Sequence, residues 1–533
     1  MSQPPQPRAS AARTGARHAA HAARVHAGLL AHPTRAVEWA CTLIVALFGA
    51  LLRFVRLGEP RAVVFDETYY VKDAWTMLQT GEPRNWPQTV PYLGQDVNPN
   101  IPFASGETDL WLDSAEYVVH PPVGKWFIAW GLKLFGGAAN PFAWRAATAI
   151  AGTIAIIVLI RVILRLFRNL PIALFGGVLM AIDGVGITMS RTGLLDIFIM
   201  VLALGAFSLL LMHRDWAKAR LERAADPTAR PPQIAVSWYR ISAAVLLGLA
   251  TGVKWSGTYF MAVFCVISVL WDAWMRHQAG YRHWFLTGVL RDGVLAACTM
   301  LPTYALAYVS TWTGWFLHPD SYMHDWARLH PGEGIQWLPE SWRSFVQYHA
   351  QMWQFHTTLD APHDYKANPL TWPLQIRPTS FYWEKLPDHP GLCSLAPDSQ
   401  CVAAITSLGN PLIWWLGSLC ALGAIAVAIW RRGDWRIWAV LAGFLGGWLP
   451  WAQYLNRTTF TFYSIVLLPW MILAICYVFD WLRTTVSRAT WHAALGSTLG
   501  LCLLVSAFFY PIWTAMPVPY EFWLSHMWLE SWI

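Results

Sequence analysis

Apolar runs of about 20 residues, the length needed to cross roughly 30 Å of hydrocarbon as a helix, recur along nearly the whole chain. Strands or loops facing lipid would leave backbone polar groups unpaired, so such a sequence is confined to a bundle of helices. The runs predict about eleven spans, at 37–57, 143–165, 170–189, 192–212, 239–254, 257–274, 286–309, 411–430, 436–453, 461–481 and 491–512. Soluble domains carry about 25% charged residues. This chain carries 13%, with 56% hydrophobic, which makes it an all-α polytopic membrane protein.

Cationic connections stay in the cytoplasm. Arg8, Arg13, Arg17, Arg24 and Arg35 precede the first span with no acid among them, so the N-terminus is expected inside. Alternate connections agree: Arg161, Arg165 and Arg168; Arg214 through Arg240; Arg276, Arg282 and Arg291; Arg431, Arg432 and Arg436; Arg483 and Arg488. Residues 1–36, rich in Ala, Pro, Arg and His and lacking an apolar core, read as a disordered cytoplasmic tail, with the first span as an uncleaved anchor. The net charge of +7 follows from these loops beside anionic headgroups and gives no reason to expect nucleic acid.

Two connections on the opposite side are long, 58–142 and 310–410. The first holds ten Asp and Glu against five Lys and Arg, the reverse of the cytoplasmic loops. Both are rich in Trp, Tyr and Pro, which suits short interfacial helices better than a separate water-soluble domain. The expected organisation is thus a tail (1–36), a catalytic membrane domain (37–512) and an extracytoplasmic C-terminal tail (513–533). Cys41, Cys265, Cys298, Cys420, Cys476 and Cys502 fall in the spans as small apolar side chains. Cys393 and Cys401, in "CSLAPDSQC", lie on an oxidising face where they can close a short disulfide loop.

Adjacent carboxylates, Asp66 and Glu67, stand in "VVFDETYYVKDAW" just after the first span. One reading is structural: Asp66 caps a helix and Glu67 sits in its first turn, where free N–H groups favour anions. The other is chemical: a carboxylate at the membrane surface takes a proton from an acceptor attacking a lipid-borne substrate. In "EYVVHPPVGKWFIAWGLKLFGG", the prolines start an amphipathic helix that either anchors at the interface or brings His120 and Lys125 to a phosphorylated headgroup. Arg145, Asp183, Arg191, Asp196, Lys254 and Arg457 lie near the outer ends of spans. A charge at a helix centre costs about 2.5–3.5 kcal/mol, so these are expected as interfacial snorkels, as ion pairs such as Arg191 with Asp196, or as a shared anion site.

"FDETYYVKDA", "HPPVGKW", "AWRAATAIAGT", "MSRTGLLDIF" and "LATGVKWSGTYF", in this order across residues 50–270, closely resemble the protein O-mannosyltransferase family. The likeness extends more loosely through "NPLTWPLQIRPTSFYWE", "LGNPLIWW" and "YLNRTTFTFYSIVLLPW". It implies the GT-C architecture of integral membrane glycosyltransferases, with a polyprenyl phosphate sugar as donor. By the same resemblance, Asp66 is the base with Glu67 in support, and Arg145 and Lys254 contact the donor phosphate. Arg191, His120, Lys125 and Arg457 match further motif positions, and Tyr70 completes the substrate-binding set. The second long loop has no room for the large soluble insertion of eukaryotic members, so the chain looks like a bacterial, actinobacterial-type member. Its "HDYKANP" fits the bacterial pattern imperfectly, so the resemblance assigns no role to His363, Tyr365 or Trp372.

A serine or threonine hydroxyl needs a base as it attacks, whereas a lipid phosphate leaves as a stable anion without a general acid. Arg and Lys stabilise the departing charge. One base and no nucleophilic carboxylate imply inversion by single displacement, with mannose passing from polyprenyl phosphate mannose to secreted polypeptides. Neither a cofactor nor a metal is expected, the cations taking a metal's place at the phosphate. The expected setting is the plasma membrane, with membrane lipids and the Sec translocon as neighbours. A GT-C enzyme acting on a lipid or polysaccharide uses the same layout. A transporter would place its charges and broken helices near mid-membrane, and a scaffold would tolerate loss of Asp66.

Overall fold

The computed structural model describes residues 34–224, 231–388, 390–430 and 433–533. The expected cytoplasmic tail lies almost wholly outside the described residues, as do Arg230, Arg431 and Arg432.

Helix α1 (Arg35–Phe54) leads into the first long loop. That loop holds α2 (Glu67–Thr80), a hairpin of β1 (Val90–Tyr92) and β2 (Gln95–Val97), and α3 (Val123–Leu134). The bundle continues with α4 (Pro141–Phe167), α5 (Leu170–Ile182), α6 (Gly184–Ser190), α7 (Asp196–Ala224), α8 (Trp238–Val253), α9 (Gly257–Gln278) and α10 (Leu286–Ser310). The second long loop carries α11 (Glu340–Thr358), β3 (Thr379–Leu386) and β4 (Cys401–Ser407). Then follow α12 (Pro411–Trp430), α13 (Trp435–Gly447), α14 (Thr461–Thr485), α15 (Arg488–Trp513) and β5 (Val518–Pro519).

Every expected span meets a helix, though not every one of those helices has the length and apolarity of a full span. Among the described residues eight helices are long and apolar enough to cross a bilayer, or nine when the bent pair α5–α6 counts as one. Two expected spans are short: α8, with 16 residues, rises ~24 Å and α13, with 13, rises ~20 Å. Helix α14 is the central element, 89% of its apolar window being buried, while α10 and α15, at 11% and 17%, are peripheral.

The 58° bend between α5 and α6 has a local cause. Asp183 caps α6 by accepting from Gly186 N at 3.0 Å, and its other oxygen accepts from Asn410 N and Trp414 Nε1 at 3.0 and 2.9 Å. Arg53, buried in α1, donates to Ala181 O and Met180 O, satisfying carbonyls that the break leaves without helical partners.

The all-α expectation is amended by a small sheet in which β4 is buried throughout and pairs antiparallel with β3 and β5. "SFYWEKL" supplies the aromatic residues that favour strands, and a disulfide joins Cys393 to Cys401 at the start of β4. Residues 513–533, expected as a tail, fold onto the second long loop. Arg377 Nη1 donates to Ser531 O, and Trp532 Nε1 donates to Gln375 O at 2.9 Å.

Candidate active site

The backbone at Phe65 is left-handed, with φ +46°, and the strain is held by an aromatic cage. Phe381, Phe462 and Phe460 surround its ring at 4.9, 5.5 and 5.9 Å, with His363 at 6.4 Å. This turn begins α2 and sends the two neighbouring carboxylates to different places.

Glu67 enters the protein. Both it and Arg145 have no exposed surface, and they form a two-point pair with Nε to Oε1 at 2.8 Å and Nη2 to Oε2 at 2.9 Å. Gly193 N donates to Oε1 at 2.8 Å and Val64 N to Oε2 at 3.0 Å. A side chain at position 193 would place its Cβ 2.8 Å from Val71 Cγ2, so the amide reaches the carboxylate only as glycine. The remaining Arg145 donors go to Leu57 O, Pro60 O and Ala62 O. Arg145 therefore has no hydrogen left for a donor phosphate, which corrects that expectation; the pair holds the loop that positions Asp66. Arg191 is likewise committed. It donates to Arg53 O, Val55 O and Arg56 O at the end of α1, and it does not pair with Asp196.

Asp66 begins α2 but makes no capping hydrogen bond through its side chain, contrary to the structural reading of its place in the sequence. Burial pushes its carboxyl up to about 6; Lys254 and a hydrogen bond from Tyr70 pull it down, and Asp196 pushes it up. A base works best with a pKa close to the operating pH. We therefore expect catalysis that needs ionised Asp66 to fall as pH drops through about 6, roughly tenfold per unit below it. A kcat/KM profile checks this, and an acid limb near 4 would place the essential carboxylate elsewhere.

Beside Asp66 opens a chamber of about 360 Å³, lined by His120, Asp196, Lys254, Arg457 and Tyr463 with a wall of Trp and Tyr rings. Lys254 follows the last residue of α8, Asp196 is the first of α7, and their side chains pair at 2.7 Å. The ammonium also faces the rings of Tyr463 and Tyr70, at 4.8 and 5.8 Å. His120 stacks on His356 at 5.2 Å. His356 Nε2 donates to Val119 O at 2.7 Å, and Arg457 Nε donates to His356 O at 2.8 Å. Burial is the main cause that holds both histidines uncharged, His356 being pushed down to about 4 and His120 also lowered well below its usual value. Lys254 and Arg457 are the cations of this wall.

Lys125 is placed elsewhere, which corrects its expected role at a headgroup. It pairs with Asp73 at 3.4 Å and lines a separate small cavity with Glu82 and Glu116. Burial and the adjacent Asp73 push Glu116 up to about 9. His363, Tyr365 and Trp372 do not line the chamber; Trp372 is fully buried against Trp451, and His363 packs on Phe460. His120, Lys254 and Arg457 thus line one chamber, with Tyr70 facing Lys254 and Asp66 within electrostatic reach of Lys254 and Asp196, while Glu67, Arg145, Arg191 and Lys125 do not line it. Sequence reasoning missed His349, Trp353 and His356, all of which line it from α11. Their i, i+4, i+7 spacing marks one helical face and is the signal that could have found them.

No cluster of three or more His, Cys, Asp or Glu side chains able to hold a metal forms among the described residues.

A helical membrane bundle with long loops over a charged chamber fits the GT-C class of membrane glycosyltransferases that the sequence motifs imply, and the comparisons with known proteins agree. The solved Saccharomyces cerevisiae protein O-mannosyltransferase Pmt1–Pmt2 complex bound to the sugar donor shares the fold, with a TM-score of 0.68 at 14% identity, covering 93% of this chain and 92% of that one. The family model for dolichyl-phosphate-mannose-protein mannosyltransferase matches residues 126–301, and that for the C-terminal four-span region of protein O-mannosyltransferase matches 341–532. A polyprenol-phosphate-mannose–protein mannosyltransferase of Mycolicibacterium smegmatis strain MKD8 is 32% identical over 522 residues, covering 93% of both chains. One of the same description from Mycobacterium tuberculosis H37Rv is 30% identical, covering 93% of this chain and 92% of its own. The chain belongs to the protein O-mannosyltransferase family.

Proposed function

We propose that this enzyme transfers mannose from polyprenyl phosphate mannose to Ser or Thr hydroxyls of polypeptides, by single displacement with inversion. The observation that carries the reading is the division of the acidic pair: Glu67 is saturated by Arg145 and two amides, while Asp66 stands beside a chamber walled by Lys254 and Arg457. Asp66 takes the hydroxyl proton as the acceptor oxygen attacks the anomeric carbon. The bond from that carbon to the phosphate oxygen breaks, and its electron pair leaves on the lipid phosphate. Lys254 and Arg457 stabilise that charge, with Tyr70 and His120 bordering the sugar. Thr251 of α8, Thr258 of α9 and Tyr304 of α10 line the chamber from the bundle side, which suits a donor carried in the bilayer.

The reaction requires no metal in this reading, Lys254 and Arg457 supplying the positive charge that a metal would otherwise bring to the phosphate. The N-terminus lies in the cytoplasm, and the chamber faces outward at the plasma membrane, where unfolded segments arrive from a secretion channel such as the Sec translocon. Labelled polyprenyl phosphate mannose and a Ser/Thr/Pro-rich peptide, incubated with enzyme-containing membranes with and without chelator, should give labelled peptide in equal amounts. Label appearing in a lipid or glycan and not in peptide would assign the enzyme to another acceptor class; transfer lost on chelation would reject metal independence.

A further inference from the structure

The chamber continues into a second cavity of about 480 Å³, and Thr357, Tyr454 and Arg457 line both. The volume lies within the ~300–1,000 Å³ of ordinary ligand clefts. The two differ in character. Rings and bundle residues wall the chamber, whereas exposed Thr358, Gln453 and Asn456 line the second cavity, a trough between the end of α11 and residues 452–457. From this arrangement we infer that the trough is the docking channel of the acceptor polypeptide, which lies there extended and delivers one hydroxyl past Arg457 to Asp66. The inference rests on the proposed transfer to protein.

Its polar groups select that class of ligand. Thr357 Oγ1 donates to Trp353 O at 2.9 Å, and Thr358 Oγ1 donates to Gln354 O at 2.8 Å. A hydroxyl whose hydrogen is already engaged retains acceptor lone pairs alone, and an extended polypeptide offers backbone N–H groups for them. Asp360, the trough's carboxylate, is paired with Lys366 at 2.6 Å, and the cation the trough shares with the chamber is Arg457, so an uncharged segment rich in Ser, Thr or Pro meets no unmatched anion. Gln453 and Asn456 add side-chain amides, which can both donate to and accept from an extended backbone. The two segments are tied by Thr458 N to Leu359 O at 3.2 Å, which fixes the channel's width.

Thr358→Trp and Asn456→Trp fill the trough without reaching the chamber. Each should raise the peptide KM at least about tenfold, the effect of losing about 1.4 kcal/mol of binding, with the donor KM unchanged. A peptide methylated at its backbone nitrogens should lose affinity for the unaltered enzyme by a similar factor, an arm that depends on no variant folding. Peptide KM unchanged in the filled variants, or full affinity for the methylated peptide, overturns the assignment. Wild-type enzyme that labels a lipid or glycan and no peptide refutes the proposed function itself, and the trough with it.

Discussion

Asp66→Asn is expected to lower the rate of mannose transfer by about 10²–10⁴-fold, the ordinary contribution of a positioned general base. The amide is nearly the same size and can keep a hydrogen bond with Tyr70, but it cannot take the acceptor's proton. Donor KM should stay near the wild-type value, because the groups facing the phosphate in our reading, Lys254 and Arg457, are untouched. Protein stability should not fall, since the change removes a carboxylate whose burial disfavours its charge. Peptide transfer and a thermal midpoint in detergent, measured on the same preparation, test both halves. Transfer at the wild-type rate would reduce Asp66 to a structural residue and end the mechanism proposed above.

Glu67→Ala should fail differently. Its removal leaves the Arg145 guanidinium buried with no anion and leaves the Gly193 and Val64 amides without their carboxylate. Breaking a buried pair in this way costs about 3–5 kcal/mol, comparable with a large part of a domain's stability. The first long loop should loosen, seen as a lowered thermal midpoint and faster proteolysis between α1 and α2. Arg145→Lys should not rescue it, because a point cation cannot reproduce a two-point guanidinium pair together with three carbonyl contacts. The volume-matched double change Glu67→Leu with Arg145→Met should recover much of the stability, as apolar replacements of buried ion pairs often do. An unchanged midpoint with activity lost would move Glu67 into the chemistry.

These contrasting expectations for adjacent residues show where sequence reasoning was sufficient. The membrane class, the long loops and the charged side chains of Lys254 and Arg457 at the outer ends of spans were legible, because burial of apolar runs and isolation of charges at span ends are local properties. The roles of Arg145, Arg191 and Lys125 were not. Each is a cation near a span end or on an interfacial helix, and its partner lies in another element: Glu67 across 78 positions for Arg145, the end of α1 for Arg191, and Asp73 for Lys125. The same holds for the shape of the third expected span, since hydropathy registers α5 and α6 as one run and cannot detect that Asp183, bound to Asn410 and Trp414, bends them.

The sequence by itself determined that the chain is a helical membrane protein, placed its acidic motif after the first span and linked its ordered motifs to one family. The first follows from hydration, which acts on each segment separately; the other two are read from the identity and order of residues along the chain. Which carboxylate stays available and which cations face the chamber was decided only by the tertiary structure. A buried ionic group must be satisfied by whatever donors packing brings to it, and that pairing depends on contacts between segments distant in the chain.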